Sequence, residues 1–173
     1  YRKGRGNGGK PPETASWACT GIGGTGGRLK GKEGGPYPDG LSGAVPLDGR
    51  HTRYRVSSEF GSRMHPVRKR RIFHKGVDLA APYGTPVYSS GNGKVSKAGY
   101  SPGYGWFVRI RHAGGYSTLY AHMSRIFVTE GEAVRMGCHI GNVGSTGVST
   151  GNHLHFELER DGRLLDPLEW FDR

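Results

Sequence analysis

From Val45 onward, apolar and polar residues alternate in short bursts cut by glycine, proline and charged turns. Val77–Leu79 runs into the turn Ala81-Pro82-Tyr83-Gly84, and Pro86–Ser89 and Gly93–Ala98 read as the next strands. Trp106–Arg111 alternates clearly, and His112-Ala113-Gly114-Gly115 turns the chain into Tyr116–His122. Ile126–Val128, Ala133–Val134, His139–Val143 and His153–Glu159 complete the series. Only Pro167–Phe171 has the makings of a short helical turn. Strands joined this closely pair as hairpins, so the pattern predicts an all-β domain with a mainly antiparallel sheet.

Before residue 45 the pattern disappears. Residues 1–50 hold 15 of the 32 glycines and few branched apolar side chains. Such a segment buries too little apolar surface to offset its ordering entropy. Residues 1–44 are therefore expected to form a glycine-rich irregular arm or linker, with Trp17 and Cys19 as its pins to the domain at 45–173. The chain begins at Tyr1, not Met, and is read as a processed or excised chain in which any signal peptide would be out of view. No apolar run approaches the roughly 20 residues that cross a bilayer, so no transmembrane segment is expected. With 34% hydrophobic residues, the 173-residue chain can build one modest core.

The net charge of +11 predicts attraction to a polyanion. An anionic cell-wall polymer, an acidic lipid and a nucleic acid all satisfy that charge. No nucleic-acid motif accompanies it, so nucleic acid is not an expected partner. The run Arg68-Lys69-Arg70-Arg71 is either a grip for anionic groups or a solvated turn. Cys19 and Cys138 lack metal-knuckle spacing. They either form one bridge or leave Cys138 as a small buried thiol, and the second is preferred.

The eight histidines differ in setting. In His153-Leu154-His155-Phe156-Glu157-Leu158-Glu159 the period of two puts both imidazoles and both carboxylates on one face, and the apolar residues on the other. An HxH pair either holds a metal between its rings, or divides the work between a ligand and a proton carrier. His74-Lys75-Gly76-Val77-Asp78 offers an imidazole and a carboxylate on a loop entering a strand, although Asp78 could equally cap a turn. In Thr118-Leu119-Tyr120-Ala121-His122, strand alternation places Thr118, Tyr120 and His122 on one face. Two histidines and one carboxylate make the three protein ligands of a catalytic zinc, with a fourth position left for water. Zinc lowers the pKa of that water to ~7, and a neighbouring neutral histidine can take its proton.

Joined in order, these segments resemble the lysostaphin-type (M23) zinc metallopeptidases that cut peptide bonds in bacterial peptidoglycan. The matching pieces begin with Phe60-Gly61-Ser62-Arg63-Met64-His65-Pro66-Val67, His74 to Asp78 with the following Leu-Ala-Ala-Pro, and Gly84-Thr85-Pro86-Val87. Then come Gly93-Lys94-Val95, Tyr104-Gly105 and Thr118 to His122 with Met-Ser. Gly141 to Gly147 and Ser149 to Glu157 close the series, so the likeness covers roughly residues 45–168. It implies a lysostaphin-type, duplicated-hybrid-like antiparallel fold with a groove over one sheet. It implies that His74, Asp78 and His155 bind zinc, that His122 and His153 serve as general base and oxyanion stabiliser, and that His65 donates to the tetrahedral intermediate.

The Arg63-Met64-His65-Pro66-Val67 segment is similar to the branch that cuts D-Ala–diaminopimelate cross-bridges, so a DD-endopeptidase is preferred. A glycyl-glycine endopeptidase of lysostaphin type and a non-catalytic wall-binding or activator protein are the alternatives. Either way the resemblance implies an extracytoplasmic protein, periplasmic, at the cell surface or carried on a bacteriophage particle. The arm at 1–44 is compatible with attachment to a larger envelope or virion assembly.

Overall fold

The computed structural model describes residues 40–47, 53–65 and 67–171. Trp17, Cys19 and His51, and with them residues 1–39 of the expected arm, lie outside the described residues.

Among the described residues, twelve strands, a 3-10 turn at Ala113–Gly115 and one short α-helix follow in order. The strands are β1 (Arg55–Ser58), β2 (Gly61–Met64), β3 (Arg71–His74), β4 (Val77–Ala80), β5 (Pro86–Tyr88) and β6 (Gly93–Ser101). They continue as β7 (Gly105–Arg111), β8 (Tyr116–Ile126), β9 (Ala133–Val134), β10 (His139–Val143), β11 (His153–Arg160) and β12 (Arg163–Leu165). Helix α1 spans Pro167–Trp170. Asp166 caps it through the Leu168 N–H, with Pro167 at its first turn, where a missing N–H costs nothing.

The main sheet runs β1-β4-β11-β8-β7-β6-β9, and every pairing is antiparallel, as the hairpin pattern predicts. β10 bridges β5 and β8, β12 pairs with β11, and β2 and β3 form a separate hairpin. Three details differ from expectation. β8 continues without a break through Ile126, so Ile126–Val128 is not a separate strand. Strands β1 to β3 and β12 carry no fully buried residue, and so give no apolar alternation to read. Cys138 is disulfide-bonded, which overturns its preferred reading as a lone thiol.

The core lies on one face of the sheet. Val77, Leu79, Val108, Ile110, Tyr120, Leu154, Phe156 and Leu158 are fully buried there. Val87 from β5 and Ile140 and Val143 from β10 pack against them. Leu41 and Ser42, assigned to the end of the arm, are buried too, and the Trp170 indole donates to the Ser42 carbonyl. Burial of this kind is worth about 1.5–3 kcal/mol per large apolar side chain, so the core face fixes which way every strand presents its residues. The opposite face is thereby free for chemistry.

Candidate metal centre

In β11 the predicted alternation holds. Leu154, Phe156 and Leu158 enter the core, and His153, His155 and Glu157 point to the other face. That face is not open, as His155 and Glu157 are themselves buried. Beside β11 lies β4, with His155 directly opposite Asp78 in the register. Gly76 makes this approach possible. A Cβ at residue 76 would run into the Phe156 carbonyl oxygen and the backbone could not close onto β11. His74 ends β3, and the short loop through Gly76 brings its ring over Asp78.

Three donor atoms consequently converge. Asp78 Oδ1 lies 2.7 Å from His155 Nδ1 and 3.3 Å from His74 Nε2. One ligand atom from each of His74, Asp78 and His155 lies within 4.8 Å of the others. The outer nitrogens are anchored as metal-binding imidazoles require. His74 Nδ1–H donates to the Glu59 carbonyl at 2.8 Å, which turns Nε2 towards Asp78. His155 Nε2 faces Glu157 Oε1 at 3.0 Å, and that same oxygen accepts from the Tyr104 hydroxyl at 2.7 Å. His74, Asp78 and His155 could hold a metal ion, with the Glu157 carboxylate behind the His155 ring.

The electrostatics follow. Burial alone would raise Asp78, but hydrogen bonds from His155 and His74 hold it well below the usual carboxylate range. Burial alone would lower His155, yet its bonds to Asp78 and Glu157 push it up to about 9. Without a cation His155 is thus the positive charge between two carboxylates, a place that a bound cation would take over.

His122 reaches the same cavity by another route. Thr118 and Tyr120 do not share its face. Both are buried in the core, where Thr118 Oγ donates to the Tyr120 hydroxyl, which accepts from the Ser90 N–H. Between Tyr120 and Met123 the β7–β8 register slips, and His122 takes φ +60°. One extra residue in β8 therefore makes a bulge, and the bulge reverses the face on which His122 emerges. Its ring centroid lies 4.8 Å from that of His153 and 5.9 Å from that of His155. A left-handed backbone is rare for histidine and is held by neighbours. The His122 N–H donates to the Tyr104 carbonyl at 2.7 Å, and its Nδ1–H to the Thr146 carbonyl at 2.7 Å. Gly105 lets these two loops touch: it sits at φ +64°, and a Cβ there would strike the Thr146 backbone.

His153 Nδ1–H donates to the Gly151 carbonyl at 2.8 Å, with Ser149 Oγ at 3.1 Å, and its Nε2 is 3.8 Å from Asp78 Oδ1. Both His122 and His153 thus present Nε2 to the cavity. Burial lowers the pKa of His122, so its ring is neutral near pH 7 and able to accept a proton. The cavity measures about 520 Å³ and is also lined by Arg63, Phe73, Tyr104 and Val148.

His65 is the one candidate that the structure does not bring to this cavity. Its Nδ1 accepts from the Val67 and Arg68 N–H groups at 3.2 and 3.0 Å, so the ring closes the β2–β3 turn. Arg63, two residues earlier, is the member of that segment on the cavity wall. Tyr104 and Glu157 join the site without a predicted role of their own. Glu157 shares the face of His155 in the strand pattern, which was the signal available for it.

Residues 72–167 match the model of Peptidase family M23, and the chain belongs to that family. It is 51% identical over 114 residues to the DD-carboxypeptidase/endopeptidase Mpg of Neisseria meningitidis serogroup B, covering 66% of this chain and 26% of that protein. It is 44% identical over 125 residues to the peptidoglycan DD-endopeptidase ShyA of Vibrio cholerae, covering 72% and 28%. The chain thus spans about a quarter of the length of these curated relatives. A zinc-containing peptidase from Vibrio cholerae superposes with a TM-score of 0.69 at 38% identity, over 75% of this chain and 39% of that one. The catalytic domain of lysostaphin from Staphylococcus simulans gives 0.61 at 32% identity, over 68% and 91%.

Proposed function

We propose that this chain is a zinc-dependent endopeptidase domain that hydrolyses peptide cross-links of bacterial peptidoglycan, with the D-Ala–diaminopimelate bond as its target. One observation carries the reading. His74, Asp78 and His155 aim three donor atoms at one point of a 520 Å³ groove, and two further imidazoles face that point without being needed as ligands. A structural metal site would close all four positions, whereas this set leaves one open. Relatives named as DD-endopeptidases support the choice of bond. Acting on peptidoglycan places the domain outside the cytoplasm, and no described helix is long and apolar enough to cross a membrane.

When bound, zinc supplies Lewis-acid polarisation of the scissile carbonyl and acidifies a water in its open position. The chain's own residues do the rest. His74, Asp78 and His155 hold the cation, and Glu157 with Tyr104 fixes the His155 ring. His122, neutral and locked through Thr146, accepts the proton of the attacking water at Nε2. His122 then returns that proton to the leaving amine, and His153, oriented by Gly151 and Ser149, stands beside the developing oxyanion.

Zinc content and cleavage of purified diaminopimelate-type peptidoglycan test this, with His155→Ala as control. Bound zinc, DD-cleaved peptides and loss of both in the variant are expected. Cleavage of glycine-bridged walls alone would overturn the bond assigned, and a zinc-free, inactive wild type would overturn the enzyme.

A further inference from the structure

Past the Tyr104 ring, the same face of the sheet opens into a second recess of about 550 Å³. Its wall carries three cations, Lys97, Arg109 and Arg111, above the half-buried Phe107 ring. Sheet register makes this crowding unusual. Lys97 sits directly across from Arg109, and Lys94 directly across from Arg111. Like charges placed opposite one another in neighbouring strands destabilise a sheet. Among the described residues, little offsets them. Glu159 meets Arg109 at 3.4 Å, loose for a charge-assisted bond, and Glu157 Oε1 is already engaged by Tyr104 and His155. The recess therefore has an excess of positive charge at its polar rim and an apolar floor.

Its distance from the metal centre follows from the strands. His155 stands opposite Ala121 in β8, and two residues back along β8, Leu119 stands opposite Arg109 in β7. With strands ~4.8 Å apart and ~3.3 Å per residue, Arg109 lies roughly 12 Å from His155 and Arg111 somewhat further. An extended peptide covers that span with roughly three to four residues.

Building on the reading of the groove as a peptidase site, we propose that this recess binds a free carboxylate of the substrate peptide, roughly three to four residues from the scissile bond. Tyr104 forms the partition: it lines both cavities, its hydroxyl donates to Glu157 on the metal side, and its ring packs 5.8 Å from that of Phe107 in the recess. The three cations select for an acidic stem peptide and fix its register in the groove.

Calorimetric titration of the zinc-loaded domain tests this with two probes, a diaminopimelate-containing stem tetrapeptide with free carboxylates and the same peptide with its carboxylates amidated. Neither contains a cross-link, so binding is read apart from cleavage. The free acid is expected to bind about 10-fold or more tightly than the amide. Lys97→Gln, Arg109→Gln and Arg111→Gln combined should bring the two within about 2-fold, and Arg109→Lys should restore part of the gap. On cross-linked substrate the triple variant should raise KM and leave kcat unchanged. Equal binding of the two probes by the wild type, or undiminished discrimination by the triple variant, would overturn the proposal. Discrimination without any cleavage would instead overturn the peptidase reading and leave the recess assigned.

Discussion

β8 and β11 are neighbours in one sheet and deliver imidazoles to one cavity, but by opposite means. β11 obeys the strand period. Every second residue from His153 to Glu157 faces the groove, and the residues between fill the core. β8 breaks the period. Up to Tyr120 its alternation serves the core, and then a bulge with φ +60° at His122 turns the next side chain over. The regular strand supplies a proposed metal ligand, and the irregular one supplies the proposed base. A ligand needs a rigid floor, because a cation imposes its distances. A base must stand above that floor, towards substrate, and a bulge puts it there. The strain is held by Tyr104 and Thr146, whose carbonyls take both N–H groups of His122.

The largest effects should separate the two strands by kind. His155→Ala removes a proposed ligand, and zinc content and cleavage should both fall below detection, a loss of about 10³-fold or more. His122→Ala should leave zinc at one equivalent and reduce kcat by about 10²–10⁴-fold. Glu157→Gln keeps the shape behind His155 but removes its charge. Its expected cost is about 10–100-fold in zinc affinity, read by competition with a chelator. Gly105→Ala attacks the support of the bulge instead. The added Cβ meets Thr146, and chemical denaturation should show a loss of about 1–3 kcal/mol. The smallest effect lies away from both imidazoles. His112 is half-buried between the Asn92 carbonyl and Thr118 Oγ, and its partial burial lowers its pKa from 6.5. The unfolded chain therefore binds more protons as pH falls below 6.5. Its contribution to stability is intact above that value and lost below it, and melts of wild type and His112→Gln between pH 7.5 and 5 should converge on the acid side.

The same contrast explains what the sequence could convey. Alternation in His153–Glu159 gave the face, the core side and the shared position of Glu157, because nothing interrupts the strand. The motif order pointed to His74 and Asp78 as partners of that strand, although the backbone approach at Gly76 is visible only in three dimensions. His122 was found by its motif but placed on the wrong set of neighbours, since a bulge has no signature in an apolar stretch such as Leu119-Tyr120-Ala121. His65 was expected at the site, and its ring instead caps the turn beside it, a local bond that competes well with any distant one. Exposed strands such as β2 and β3 were silent because pairing alone, with no buried face, leaves composition unpatterned.

The comparison stands on a division of labour between His155 and His122. Zinc stoichiometry and single-turnover cleavage of a diaminopimelate cross-linked peptide, measured on one zinc-saturated preparation of His122→Ala, test it most directly. The account predicts one zinc per chain with cleavage reduced by at least about 10²-fold. Loss of the zinc together with cleavage would make His122 a ligand, and retention of both would remove it from the chemistry.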